Sequence, residues 1–291
     1  MSHEQTHSPI KLLVCIDGSA YADNICADAA WVAKKLNAQI DLLHVLRRHS
    51  DYQASMPEHT GSIGLGARSD LLDKLTQVDE QRAQLDQQKG RLILEHGEAL
   101  LRAAGIEHIN MIHRRGSLVE TIQELEPDYD MIFIGKRGEH ADTQSAYLGA
   151  NLEKTARAIH KPLFVVSTIR RDMQRYLIAY DGKESVSKAI DFISKSPLLK
   201  DMEGHLLAVD DKTAIDTSTA EAALSAADLS VKITHIKAAH PDEAITNYVQ
   251  ENAIDILITG AYSHSRMRSL FLGSTTASLI KSCKVPLLLF R

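Results

Sequence analysis

Two stretches of the sequence, IKLLVCIDGS at Ile10–Ser19 and RYLIAYDGKES at Arg175–Ser185, share one pattern and decide the fold. Each has a short apolar run, then Asp-Gly, then a polar segment that can begin a helix. Such a pattern indicates a buried strand that leads through a tight turn into a helix. Because it occurs twice, about 165 residues apart, the 291-residue chain is predicted to contain two copies of one unit.

Further apolar segments follow in the same order in both halves. The second strands read IDLLHVL and GHLLAV, the fourth strands YDMIFIG and IDILITG, and the last strands KPLFVV and KVPLLL. Strands that alternate with helical stretches at this spacing indicate a parallel sheet with right-handed crossovers. We therefore expect an α/β protein made of two similar doubly wound, five-stranded parallel-sheet domains. Each would be Rossmann-like, with the strand order 3-2-1-4-5.

The polar segment TIRRDMQ at 168–174 connects the halves, which predicts a first domain at 8–169 and a second at 174–291. The halves differ in length, because 118 residues separate Asp17 from Gly135 and 79 separate Asp181 from Gly260. The excess follows the second strand of the first half, in 47–70 and the helical run after it. A loop of that length is either a lid over a binding site or a disordered surface insertion, and the sequence leaves both open.

The composition restricts the classes of function. Apolar residues make up 44% of the chain and charged residues 24%, with a formal net charge of −5, which is typical of a globular protein without a nucleic-acid partner. The apolar runs are too short to cross a membrane. Three widely spaced cysteines favour a cytoplasmic location. The H-E-x-x-H pattern at 3–7 precedes the first strand and has no apolar face to fix it, so no metal site is predicted.

Glycines after the fourth strand of each half indicate a loop that can approach a phosphate. Glycine lets the backbone turn closely around a ligand, and the free N–H groups of a following helix favour an anion. Capping of that helix by Asn151 or Ser274 is the alternative explanation. The candidate residues of the first half are Gly135, Arg137, Gly138, Gly149, Ala150 and Asn151. Those of the second half are Gly260, Ser263, Gly273, Ser274 and Thr275.

An aspartate follows the first strand of each half. With the strand order 3-2-1-4-5, the ends of strands one and four flank the crevice in which doubly wound sheets bind ligands. This order brings Asp17 towards Gly135–Gly138 and Asp181 towards Gly260–Ser263. A carboxylate there can accept hydrogen bonds from adenine or ribose while the glycine loop holds phosphates, which predicts a nucleotide. Lys136 and Arg137 would add positive charge, or they are solvated surface cations.

At these residues the sequence resembles the universal stress protein family in its tandem, two-domain form. The resemblance extends over Pro9–Ser167 and Gln174–Arg291, and its signature is the aspartate with G-x2-G-x9-G-[ST] after the fourth strand. It implies a cytoplasmic stress-response protein that binds ATP or another adenine nucleotide, with or without magnesium. It also implies that Val45 and Val209 lie against the nucleoside.

Both halves depart from that signature. The first has ten residues instead of nine before Gly149, and Ala150 stands where Ser or Thr is expected. The second keeps the spacing, but Ser263 replaces the second glycine and could crowd the phosphates. The sequence therefore leaves open which half binds.

The resemblance also implies how the domains associate. The family commonly pairs domains through the final strand, so Leu163–Val166 is expected to pair with Leu287–Phe290 within one chain, and a homodimer of such chains stays open. The expected function is regulated nucleotide binding without turnover. The alternatives are a scaffold or small-ligand binder with degenerate sites, and a slow ATPase, which ranks last because no base for water is evident.

Overall fold

The structure is a computed structural model in which the described residues are 9–46, 65–138, 150–169, 172–210, 214–261 and 273–291. Strands and helices alternate through both repeats. The first repeat contains β1 (Lys11–Cys15), α1 (Ala22–Leu36), β2 (Gln39–Leu46), α2 (Leu65–Ala103), β3 (Ile109–Arg115), α3 (Leu118–Leu125), β4 (Met131–Gly135), α4 (Ala150–Ala158) and β5 (Leu163–Val166). The second contains β6 (Arg175–Tyr180), α5 (Glu184–Lys195), β7 (Glu203–Asp210), α6 (Ser218–Ala226), β8 (Val231–Lys237), α7 (Pro241–Glu251), β9 (Ile256–Gly260), α8 (Ser274–Ser282) and β10 (Leu287–Phe290).

The strand order of each repeat confirms the predicted doubly wound topology. The first repeat has the order β3-β2-β1-β4-β5 and the second β8-β7-β6-β9-β10, with parallel neighbours throughout each repeat. The two sheets are joined, however, because β5 and β10 pair antiparallel, with Val165 opposite Leu287. The described strands thus form one ten-stranded sheet. Pairing satisfies two edges of buried apolar residues that would otherwise invite association with other chains.

The hydrophobic core is divided by the faces of this sheet and not by the repeats. On one face, buried residues of α1, α2, α5 and α6 pack against strands of both repeats. On the other face, α3, α4, α7 and α8 do the same. The aromatic stack of Phe133 on Phe164, with ring centroids 4.8 Å apart, lies near the junction. Each of the two core clusters therefore contains buried residues of both repeats.

Polar contacts fasten the junction of the repeats. The Arg291 guanidinium donates to the carbonyl of Arg157 at 2.6 Å, close to the carboxyl end of α4. The Ser167 hydroxyl, at the equivalent position after β5, donates to the carbonyl of Lys284 beyond the end of α8. A cation near a helix carboxyl end also interacts favourably with the helix dipole.

The additional residues of the first repeat are mostly one long helix. Helix α2 has 39 residues and begins at Leu65, earlier than the predicted end of the loop at residue 70. Within this helix, Leu94 and Leu101 are buried against the rest of the protein, whereas most of residues 74–89 are exposed. Residues 47–64, and the pattern at 3–7, lie outside the described residues. In the described part of the chain, no helix combines the length and apolar character that a bilayer crossing requires.

Candidate functional site

The first crevice begins where β1 and β4, which are neighbours in the sheet, both end. Ile16 extends the pairing beyond β1, because its N–H donates to the carbonyl of Leu43 at 2.9 Å. Nδ1 of the buried His44 donates to the carbonyl of Ile16, also at 2.9 Å. These two bonds fix the backbone immediately before Asp17, so the start of the turn is held by β2.

Asp17 and Gly138 meet at the mouth of this crevice. The Asp17 Oδ1 atom accepts a hydrogen bond from the Ser19 N–H at 3.0 Å, which shapes the turn into α1. A Cβ atom added to Gly138 would lie 3.0 Å from Asp17 Oδ2. Any side chain at 138 would therefore press on the carboxylate, and glycine keeps this contact open.

Gly135, Tyr21 and Arg137 form the wall beside that contact. A Cβ on Gly135 would lie 3.1 Å from the Cβ of Tyr21, so the glycine lets the first turn of α1 approach the end of β4. Burial raises the pKa of the Tyr21 phenol, and the nearby Arg137 guanidinium opposes that rise. Arg137 thus lies close enough to Tyr21 to act on its phenol, and its role at a ligand stays a prediction.

The remaining candidates of the first repeat are placed less completely. Ala150 and Asn151 open α4, and the structure describes only the backbone at Ala150. Val45 lies near the carboxyl end of β2, partly buried, and packs against the core of the face that holds α3 and α4. Gly149 lies outside the described residues.

Lys136 does not belong to the crevice. Its side chain is 9% exposed, and its ammonium donates to the carbonyl of Cys283 and, at 3.3 Å, to that of Val285 in the other repeat. The expectation that Lys136 serves a phosphate or solvent is therefore wrong. Burial lowers its pKa to about 8, because the surroundings disfavour the charged amine.

In the second repeat, Asp181 already has a cationic partner. Its Oδ2 atom lies 2.9 Å from the Lys183 ammonium, and its Oδ1 atom accepts from the Lys183 N–H at 3.1 Å. Gly182 between them has φ +70°, a conformation that favours glycine. The equivalent of Lys183 in the first repeat is Ser19, so this lysine has no counterpart at the same position of the first repeat.

The glycine loop of the second repeat starts from a similar framework. A Cβ on Gly260 would lie 2.2 Å from the Ser185 hydroxyl, which shows how closely α5 approaches the end of β9. The Gly273 N–H donates to the carbonyl of Ala261 at 3.3 Å, and α8 begins directly afterwards with Ser274 and Thr275. Ser263 lies outside the described residues.

The segment after β7 further narrows this second crevice. Val209 is partly buried near the end of β7, and the next residue, the buried Asp210, accepts a hydrogen bond from the Ile215 N–H at 2.8 Å. This bond turns the chain back, so that the Ile215 Cγ2 atom would lie 3.6 Å from a Cβ on Gly182. Ile215 thus packs against the turn that carries Asp181.

Sequence reasoning missed three residues that shape these crevices. Tyr21 and Ser185 each stand four residues after the aspartate of their repeat, so alignment of the two repeats beyond Asp-Gly could have found them. His44 had no such signal, because the equivalent residue in the second repeat is Ala208. Among the described residues, no group of three or more His, Cys, Asp or Glu side chains could hold a metal.

The fold and its two crevices define a tandem α/β protein of the doubly wound type, in which ligands bind beyond the carboxyl ends of the strands. The universal stress protein family model matches residues 10–167 and 192–291, and the chain belongs to this family.

Similarity to known proteins extends over both repeats. The chain is 36% identical over 285 residues to universal stress protein Slr1230 of Synechocystis sp., covering 96% of this chain and 99% of that protein. A universal stress protein of Archaeoglobus fulgidus has a similar structure, with a TM-score of 0.68 at 19% identity over 97% of this chain and 98% of its own. A functionally unknown protein of Pseudomonas aeruginosa has a TM-score of 0.62 at 14% identity, covering 97% of this chain and 92% of its own. At these identities the two structures show the fold alone.

Proposed function

We propose that the protein binds an adenine nucleotide, ATP first among them, in the crevice of the first repeat, and that it acts through regulated binding without turnover. The observation that carries this proposal is the contact of Asp17 with Gly138. It offers a carboxylate for the ribose or the adenine beside a backbone that a phosphate can approach closely.

The intact Gly-x-x-Gly of the first repeat, Gly135 to Gly138, favours this repeat as the binding site. Arg137 adds a guanidinium to the first crevice, and the amino end of α4 follows in the chain. In the second repeat, Lys183 forms an ion pair with Asp181, and Ile215 packs beside the same turn. A nucleotide would have to displace both contacts before it used Asp181.

The residues fit a nucleotide better than they fit an independent metal ion. Gly138 provides a space that a Cβ would fill, whereas the described residues provide no cluster of metal ligands. Magnesium would therefore accompany the phosphates, as this ion usually does in nucleotide sites. Asp17, Arg137 and Gly138 would bind and orient the nucleotide.

Isothermal titration with ATP and magnesium tests the proposal, with Asp17→Asn and Asp181→Asn as a matched pair at equivalent positions. We expect Asp17→Asn to weaken binding by about tenfold, as for the loss of a charged hydrogen-bond acceptor. The affinity of Asp181→Asn should stay close to that of the native protein. Gly138→Val should also lose binding, because its side chain would collide with Asp17.

Two results would contradict the proposal. An absence of heat at millimolar ATP would reject nucleotide binding and leave the scaffold or another small ligand, which mass spectrometry of co-purified molecules would distinguish. Loss of binding only in Asp181→Asn would move the site to the second repeat.

We further propose a cytoplasmic stress-response role, which is supported by three free, buried cysteines.

A further inference from the structure

Helix α2 carries a line of exposed apolar side chains. Val78, Leu85 and Leu92 are 42%, 64% and 65% exposed, and Leu75 nearby is 51% exposed. The first three are spaced by seven residues, which is close to two helical turns, so they lie along one side of the helix. We call Val78, Leu85 and Leu92 the outer line.

The outer line faces away from the body of the protein. Leu94 and Leu101, which are 4% and 0% exposed, lie on the side of α2 that packs against the sheet. Leu94 is nine residues from Leu85, which corresponds to half a turn around the helix axis. The outer line therefore cannot contact the core of its own chain.

The part of α2 that carries most of this line has little support from the residues that the structure describes. Residues 74–89 are exposed or only partly buried, and they extend over about 24 Å at the rise of a helix. Isolated helical segments of this length are marginal in water, and most helices in proteins are stabilised by packing of an apolar face. This segment has such a face, and the described residues of its own chain leave that face exposed.

The charges beside the outer line favour one occupant, a second copy of α2 that runs antiparallel. Asp79, Arg82, Asp86 and Lys89 alternate in sign along one flank. In an antiparallel pair centred on Leu85, Arg82 meets Asp86 of the second copy, and Lys89 meets Asp79. In a parallel pair this flank would instead face the opposite flank of the second copy, so that Arg82 and Lys89 would lie near Gln77 and Gln84 and form no ion pair.

The apolar residues and the other flank agree with the same arrangement. Leu85 would meet itself at the two-fold axis, and Val78 would meet Leu92 of the second copy. On the other flank, Lys74 would lie near Glu95, again with opposite signs. The body of each chain packs on the side of α2 opposite the outer line.

We propose that the protein forms a homodimer in which α2 of one chain packs antiparallel against α2 of the other along Val78, Leu85 and Leu92. This interface differs from the β5–β10 pairing, which is used inside each chain. Three apolar residues per copy make a small interface, below the roughly 800 Å² per partner of stable complexes. The dimer is therefore expected to dissociate at micromolar concentrations.

Sedimentation velocity of the full chain tests the interface, from about 1 to about 200 µM, since mass action drives dimer formation. We expect a concentration-dependent species of twice the chain mass. Leu85→Glu should weaken dimerisation by about tenfold or more, because it places two carboxylates at the two-fold axis. Gln87→Glu makes the same charge change on an exposed residue on the opposite side of α2 and should leave dimerisation close to native.

A charge exchange tests the antiparallel arrangement. Asp79→Lys with Asp86→Lys makes one flank wholly basic, and Arg82→Glu with Lys89→Glu makes it wholly acidic. Each variant alone should dimerise more weakly than the native chain, and their mixture should form a heterodimer.

A native chain that stays monomeric at about 200 µM would overturn the proposal. Equal dimerisation of Leu85→Glu and Gln87→Glu would also overturn it, as would a mixture of the exchanged variants that forms no heterodimer. Circular dichroism spectra equal to the native one would show that the variants are folded, so that their loss of dimerisation reports on the interface.

Discussion

Replacement of Lys136 by methionine tests the most unusual contact between the repeats. The lysine follows β4, and its backbone N–H donates to the carbonyl of Val166 at 3.2 Å. At the equivalent position the N–H of Ala261 donates to the carbonyl of Phe290, so the backbone pattern is the same. The small apolar side chain of Ala261 is buried there, which shows that this position does not require a charge.

The pKa of Lys136 gives the magnitude and the sign of the effect. Burial lowers it from 10.5 to about 8. Below pH 8 the amine is charged in both the folded and the unfolded chain, and the folded chain bears the cost of burying that charge. Between pH 8 and 10.5 the folded chain releases the proton first, so the free energy of unfolding rises with pH. Proton linkage gives a rise of about 1.3 kcal/mol between pH 7 and pH 9.

Lys136→Met keeps a long flexible side chain but removes both the donors and the titration. It should cost about 1–2 kcal/mol at pH 7, because two buried carbonyls lose a donor, and the cost should be about 1.3 kcal/mol larger at pH 9. Urea denaturation of both proteins at pH 7, 8 and 9 gives the difference in their free energies of unfolding. The titration of other groups contributes equally to both proteins and cancels in this difference. The free energy of unfolding of the native protein should therefore exceed that of Lys136→Met by more as the pH rises.

The control is Lys188→Met, which removes an exposed lysine that pairs with Glu184. Its difference from the native protein should be small and should not change between pH 7 and 9. A flat difference for Lys136→Met over the same range would refute the reasoning. It would mean that the two carbonyls and the end of α8 stabilise the charged amine as much as burial disfavours it.

Three further predictions concern buried contacts. Tyr176→Phe should raise the free energy of unfolding by up to about 1 kcal/mol, since the Tyr176 hydroxyl is buried and has no hydrogen-bond partner in the described part of the chain. Gly260→Ala should lower the free energy of unfolding by about 1–3 kcal/mol, because the new Cβ would collide with the Ser185 hydroxyl. Adding Ser185→Ala should recover part of this loss. Thermal denaturation of the native protein, the single variant and the double variant measures both effects. All three cysteines should react with a thiol reagent only after denaturation, because they are buried and burial raises their pKa; labelling of a native cysteine would contradict this.

Local sequence was sufficient for most of the fold. The repeated pattern of apolar run and Asp-Gly predicted two copies of one parallel α/β unit, and the expected order 3-2-1-4-5 is the one that the structure has. The third strands, β3 and β8, had no clear apolar signal, because they lie at the two edges of the sheet and many of their residues are exposed.

The crevices show where local sequence ceases to be informative. Asp17 and Asp181 occupy equivalent positions, and the sequence predicted the same role for both. Lys183 is adjacent in sequence and could have been recognised as a partner of Asp181. Ile215 could not, because the bond from its N–H to Asp210 turns the chain towards Gly182 only in the folded protein.

The sequence by itself determined the repeat, the alternation of strand and helix, and the position of an aspartate and a glycine turn at each crevice. These features depend on residues close together in the chain, whose spacing follows the period of a helix or a strand. Tertiary structure alone decided that Lys136 is a buried contact between repeats and not a phosphate ligand. Its acceptor at Cys283 is 147 residues away, and only the joining of β5 to β10 brings the two together.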